Sequence, residues 1–275
     1  MHIIRCNLFA TVRLTAGLLF LVPIATACKK GRPKDANYNM RTELLAEVQP
    51  VALKNCNLKR FGLGKDEGYL MCDNLMSNAK SAYSYGIAGI DAWGCEISAK
   101  LSIPVHQYDC FELKKPSCST GKTFFHGECI GPKTGIDKDK RPFETFTKQI
   151  EKNNDSGKTL LLKIDVEGAE WDSLAQTSDE VLSKIDQIAI EFHKVNDPKF
   201  LTLVKRLKTL FYFAHLHFNN NACSDEFAPF PAWAFQALLV NKKIGVLDAA
   251  APAPKLPHPL DEPDNVNNAD CQTLK

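Results

Sequence analysis

Residues 160–171 read LLLKIDVEGAEW: an apolar run breaks off into an acidic turn, Asp165-Val166-Glu167-Gly168, and a helical pattern follows. Residues 159–164 have the length and apolar density of a strand buried on both faces, and the glycine behind them permits a tight strand-to-helix turn. In open α/β sheets ligands bind outside the carboxyl ends of the strands, so Asp165, Glu167 and Glu170 are the first candidates for chemistry. Glu167 and Glu170 equally fit a plainer role, because carboxylates suit the first turn of a helix.

Outward from that strand, further β patterns fall at 81–87, 105–109, 123–130, 187–192, 211–218 and 235–240. With 159–166 they make seven strands. Helical patterns at 92–101, 143–152, 169–184 and 198–209 separate most of them, the last with Pro198 at a first helical turn. Such alternation builds an α/β fold, a parallel sheet covered by helices on both faces. No convincing helix joins the last two strands through 219–234, so they are expected to form an antiparallel hairpin at one edge.

The chain has 275 residues and a formal net charge of +2 with both signs mixed throughout, and no basic stripe suited to nucleic acid. About 190 residues remain between the two ends, enough for one domain with a full core and no second catalytic domain. At the N-terminus Arg5 and Arg13 precede an apolar run, 14–24, and the small-x-small site Ala25-Thr26-Ala27. The run is short for a membrane span, so residues 1–27 read as a signal peptide first, then as an uncleaved anchor, then as a leader before a lipidated Cys28. A membrane partner follows only from the last two. Residues 28–55 read as a lead-in, 56–248 as the domain, and 249–275, with AAAPAP, PHP and DEPDNVNN, as a disordered tail.

Ten cysteines without paired CxxC spacing point to disulfides in an exported compartment. Cys6 falls in the leader, which leaves nine and at least one unpaired within the chain. Buried apolar cysteines in a reducing compartment are the alternative. Spacing does not fix connectivity; the pairs expected are Cys118 with Cys129, across the connection into the third strand, and Cys56 with Cys72.

The segment 163–170, KIDVEGAE, resembles the signature of the FkbM family of S-adenosylmethionine-dependent methyltransferases at the end of their fourth strand. Residues 83–96, YSYGIAGIDAWGCE, fit the family's first strand and cofactor loop, and 185–193, IDQIAIEFH, its fifth strand. Arg60-Phe61-Gly62 followed by Asp66-Glu67-Gly68-Tyr69 is similar to the lead-in of methyltransferase-like proteins of the secretory pathway. The resemblance covers residues 56–243. It implies a Rossmann-like class I methyltransferase: a mostly parallel seven-stranded sheet with an antiparallel terminal hairpin, and S-adenosylmethionine as cofactor.

On such a fold Tyr85-Gly86-Ile87-Ala88-Gly89 follows the first strand, where glycines let backbone approach a ligand. The fuller GxGxG pattern is missing. Asp109 ends the second strand twenty residues after Gly89 and is expected to accept the ribose hydroxyls, a capping aspartate being the alternative. Glu96 matches a family acidic position and is assigned to the cofactor, although a solvated helix residue fits equally. Adenine is expected near 126–130, with no residue singled out.

An oxygen nucleophile must lose a proton as it attacks a sulfonium methyl, and Asp165, Glu191 and His193 at neighbouring strand ends are the expected catalytic set. With Glu167 the same rim would also hold a divalent cation, although oxygen-rich rims are frequent without one. His193 could instead cap a strand end. His215 and His217 alternate on one strand, where packing is preferred to a metal pair. Phe227, Phe230, Trp233 and Phe235 are read as hairpin packing rather than a lid, and Trp171 as core.

The function expected is methyl transfer to oxygen on a small or glycan-like acceptor in a secretory or secreted setting. The alternatives are a secreted binding module that keeps the fold without transfer, and a nicotinamide-dependent oxidoreductase, against which the KIDVEGAE strand end and the hairpin argue. Oligomeric state is not legible.

Overall fold

The computed structural model describes residues 35–64 and 68–271. The expected leader at 1–27, Cys6, Cys28 and the Asp66-Glu67 part of the lead-in motif lie outside the described residues. In chain order the elements are α1 (Tyr38–Glu47), β1 (Leu58–Gly62), β2 (Gly68–Cys72), β3 (Ser81–Tyr85), α2 (Ala92–Leu101), β4 (Pro104–Tyr108), β5 (Lys122–His126), β6 (Cys129–Ile130), β7 (Gly135–Ile136), β8 (Pro142–Glu144), α3 (Phe146–Lys152), β9 (Leu160–Ile164), α4 (Ala169–Gln176), α5 (Asp179–Leu182), β10 (Ile185–His193), α6 (Pro198–Leu210), β11 (Phe211–Phe218) and β12 (Ala234–Asn241).

Seven strands form one sheet in the order β11-β12-β10-β9-β3-β4-β5. The pairs β10/β9, β9/β3, β3/β4 and β4/β5 are parallel, and β12 runs antiparallel to both β10 and β11. This is the mostly parallel sheet with a terminal antiparallel hairpin that the resemblance implies. Strand β9 is buried at every position, and its residues divide between the two faces. Leu160, Leu162 and Ile164 join the core under α1, α3, α4, α5 and α6, while Leu161 joins the core under α2 and the β1–β2 hairpin. A continuous apolar run is what a strand covered on both sides requires.

Trp171 lies in the first of these cores, stacked on Phe200 at 4.1 Å between ring centroids and beside Phe192 at 4.3 Å. Removing an indole so enclosed costs about 3–5 kcal/mol. Phe230 and Phe235 are buried against each other, as expected for hairpin packing.

Four boundaries differ from the sequence reading. The pattern at 123–130 divides, because the chain leaves the sheet at Gly127 and β6 pairs with β8 in a small separate sheet. The helix expected over 169–184 breaks where Thr177 is extended and the Ser178 hydroxyl accepts a hydrogen bond from the amide of Val181, starting α5. The helix expected from 143 begins at Phe146, behind a Thr145 cap. Residues 28–55, read as a lead-in, contain α1, which buries Arg41 and Leu44.

Disulfides join Cys56 to Cys72, Cys95 to Cys118, Cys110 to Cys129, and Cys223 to Cys271. The first is the expected pair, whereas Cys118 with Cys129 is not formed. The loop carrying Cys118 lies against α2, where a Cβ on neighbouring Gly121 would come within 2.8 Å of Ser98, and so Cys118 meets Cys95. Cys129 instead faces the end of β4.

The C-terminal stretch from Ala249 to Cys271 is not the loose tail its composition suggested. Its Asp261 accepts a 2.7 Å contact from His215, the Asn220 side chain donates to the carbonyls of Asn265 and Asn268, and Cys271 is bonded to Cys223. His215 is thus held by the tail. Among the described residues no helix is long and apolar enough to cross a membrane.

Candidate active site

A cavity of about 720 Å³ opens at the carboxyl ends of β3, β4 and β9, within the range that encloses a drug-sized ligand. Tyr85, Gly86, Ile87, Ala88 and Asp109 line it, together with Lys163, Asp165 and Glu167 and with Tyr69 from β2. Tyr108, Ile130 and Phe143 supply apolar wall. Of the region expected to receive adenine, Cys129 and Ile130 reach the cavity and His126 does not; its ring stacks outside on Tyr108 at 4.5 Å. Burial, and then the neighbouring His106, push the His126 imidazole down to about 4, so it is neutral at physiological pH.

The glycine loop is shaped by contact with β9. Gly86 has φ +70°, and a Cβ there would lie 1.5 Å from the carbonyl oxygen of Asp165. Glycine is therefore required for loop and strand end to touch. The Lys163 ammonium secures the same junction, donating to the carbonyls of Tyr85 at 3.2 Å and Gly86 at 2.7 Å. Asp91 caps α2 by accepting from the amide of Gly94, and also accepts from Ser84 and Gln107. Burial raises its pKa against those bonds.

Asp109 stands where a ribose-binding carboxylate was expected, but its oxygens are engaged. One accepts from the amides of Ile87 and Ala88 at 3.1 and 2.9 Å, the other from those of Phe111 and Glu112 at 2.8 and 2.9 Å. Four amides fill the four lone-pair positions of a carboxylate. Asp109 thus ties the glycine loop to the loop after β4 and forms the seat rather than offering free oxygens. Glu96 is no part of the cavity. It turns toward the β1–β2 hairpin, accepting from the amide of Gly62 at 3.0 Å and pairing with Lys59 at 3.4 Å.

Around the Asp165 side chain the geometry is more open. Asp165 accepts from the Tyr69 hydroxyl at 3.0 Å through Oδ2, while its Oδ1 lies 3.8 Å from Nε2 of His193. Glu167, at φ +57° in the left-handed region, sets its Oε2 3.7 Å from the same nitrogen. Behind the imidazole, the fully buried Glu170 receives the His193 amide at 2.8 Å and Nδ1 at 3.2 Å on Oε1, and the Gly168 amide at 2.8 Å on Oε2. Burial works against a charge on His193, but the bond to Glu170 and the fields of Glu170, Glu191 and Asp165 outweigh it and bring its pKa up to about 9. Glu191 lies two residues before His193 on the same face of β10, buried and receiving 2.8 Å from Asn219.

Asp165 and His193 thus meet beside the cavity, which Asp165 lines and His193 and Glu191 do not. Sequence reasoning passed over Lys163 and Tyr69. The signal for Lys163 was a charge inside the run LLLKI, where a doubly buried strand tolerates one only with partners. Tyr69 comes from the lead-in motif and gave no hint of its target.

Residues 36–219 match the Methyltransferase FkbM domain family, well over half of the chain, and the protein belongs to that family. A comparison with curated proteins finds no match.

Proposed function

We propose that the protein transfers a methyl group from S-adenosylmethionine to oxygen on a small or glycan-like acceptor in an exported, oxidising compartment. The observation that carries this reading is one cavity lined both by the glycine loop and by Asp165. Its glycine loop, apolar wall and carboxylates suit a nucleoside with an amino-acid arm and a hydroxyl that must be deprotonated. When bound, the cofactor supplies an electrophilic methyl on a sulfonium sulfur.

The chain's own residues do the rest. Backbone at 86–88 approaches the cofactor, Tyr108, Ile130 and Phe143 enclose its flat apolar part, and Asp109 and Lys163 hold the loop in place. Asp165 accepts the proton of the acceptor hydroxyl. With the cofactor bound, Asp165 would thereby leave the acceptor oxygen free to take the methyl group, the carbon–sulfur electron pair remaining with the departing thioether. Tyr69 orients Asp165 from one side; His193, backed by Glu170 and Glu191, flanks it from the other. Proton transfer by a positioned group contributes ~10²–10⁴-fold in rate. Four disulfides among eight described cysteines support an oxidising compartment.

Calorimetric titration of the disulfide-intact protein with S-adenosylmethionine, S-adenosylhomocysteine and NADH tests the reading. Binding of both sulfur nucleotides without NADH is expected, and would justify a screen of glycans and small alcohols. A folded sample that binds neither sulfur nucleotide overturns it in favour of a non-catalytic binding module.

A further inference from the structure

We infer that Asp165, Glu167 and His193 form a site for one divalent metal ion at the acceptor end of the cavity. The inference rests on the methyl-transfer reading, since the ion would hold the acceptor oxygen beside Asp165.

One ligand atom from each of the three residues lies within 4.8 Å of the other two. From His193 Nε2 the distances are 3.8 Å to Asp165 Oδ1 and 3.7 Å to Glu167 Oε2, too long for hydrogen bonds and nearly equal. An ion with tetrahedral bonds of ~2.1 Å sets its ligands ~3.4 Å apart, a few tenths of an ångström less than either distance from His193. His193 is 2% exposed, and its Nε2 makes no hydrogen bond among the described residues. A buried ring nitrogen 3.7 and 3.8 Å from two carboxylates, and hydrogen-bonded to neither, is the second observation that points to a ligand.

The support behind the ring is of the kind metal sites use. Glu170, fully buried, takes Nδ1 at 3.2 Å and so fixes the ring with Nε2 on the side of Asp165 and Glu167. Glu170 is in turn fixed by the amides of Gly168 and His193. The neighbouring cations face elsewhere. The Lys163 ammonium is 3.9 Å from Asp165 on the Oδ2 side and donates to the loop carbonyls; Lys194 donates to the backbone oxygen of Glu167 at 3.4 Å. One imidazole with two carboxylates suits manganese, iron(II) or zinc better than calcium, which takes oxygen ligands throughout. With three protein ligands, a position remains for the acceptor hydroxyl, whose proton passes to Asp165 Oδ2 as the ion stabilises the oxygen left behind.

The test is Mn²⁺ titration of the disulfide-intact protein, followed by the loss of the free-ion paramagnetic resonance signal, in the parent, Glu167→Gln and His193→Gln. S-adenosylhomocysteine binding is measured on the same samples. One ion per chain is expected, with affinity at least ~10-fold weaker in each variant and nucleotide affinity unchanged. Glu167 is exposed and its side chain makes no hydrogen bond among the described residues, so Glu167→Gln separates ligand loss from misfolding. No stoichiometric binding by the parent, or equal binding by both variants, overturns the site. If the nucleotide still binds in that case, the methyltransferase reading survives without the metal.

Discussion

Two aspartates follow two strands of the same sheet, and their surroundings are opposite. Asp109, after β4, gives both oxygens to four backbone amides of two loops. Asp165, after β9, has one oxygen held by Tyr69 and leaves the other facing His193 across 3.8 Å. A carboxylate saturated with amide donors is architecture, because nothing further can be bound without breaking what is there. A carboxylate with an open oxygen beside a cavity is available for chemistry. Strand end and spacing locate both residues; only the count of donors around each separates their roles.

The contrast fails first, if it fails, at Asp165. Asp165→Asn keeps the shape and the Tyr69 contact, and turnover is expected to fall ~10²–10⁴-fold while S-adenosylhomocysteine affinity stays within about threefold. Steady-state kinetics beside calorimetry reads both; a loss of nucleotide binding comparable with the loss of turnover would make Asp165 as architectural as Asp109. Next in size is the disulfide beside Asp109. Replacing Cys110 and Cys129 together by serine opens a loop closed over 19 residues of sequence separation, expected to lower stability by about 3 kcal/mol in denaturant melts and to weaken nucleotide binding. Asp109→Asn removes charge-assisted bonds from both loops at once, with ~10-fold weaker S-adenosylhomocysteine binding expected and the rate of the bound complex nearly unchanged. Equal damage to turnover at saturating cofactor would refute its role as a support.

The smallest effect comes from a third aspartate, Asp186, at the start of β10 and the far end of the sheet. One of its oxygens is buried without a partner, and burial, against a weaker pull from Lys243, raises its pKa from 3.8 to about 6. Because the folded value lies above the ordinary one, the fold is favoured by protonation; that contribution is complete below about pH 4 and is lost as pH rises through about 6. Asp186→Asn is therefore expected to stabilise the protein by about 1 kcal/mol above pH 6 and to change nothing near pH 4, as thermal melts across that range would record.

Much of this was legible because strands buried on both faces announce themselves as apolar-rich runs; LLLKI did so with one lysine, whereas IDQIAIEFH, with four polar residues, is placed by its resemblance to the family's fifth strand. Helix α1 did not, since YNMRTELLAE buries only Arg41 and Leu44 and carries no apolar stripe. The tail misled hydropathy because it is fixed by asparagine hydrogen bonds, one buried His215–Asp261 contact and a disulfide rather than by apolar area. At the site, residue identity gave Asp165 and His193 their place, whereas the true partners of Asp109 and Glu96 are backbone amides, which a sequence does not display. The Cys110–Cys129 pair was hidden for a related reason: the chain leaves the sheet at Gly127, and what faces what after such a turn is set by three-dimensional course, not spacing.

The anchored C-terminal stretch has one more consequence. Strand β11 is the last of the sheet, and an unpaired outer strand is a template on which another molecule can add its own. Here the amide of Val51 already takes the carbonyl of Phe213, and Pro254 and Pro257, with few amides to offer, lie beside Leu216 and Phe218 under the closure at Cys271. The bond between Cys223 and Cys271 thus fastens the stretch that lies along this outer strand.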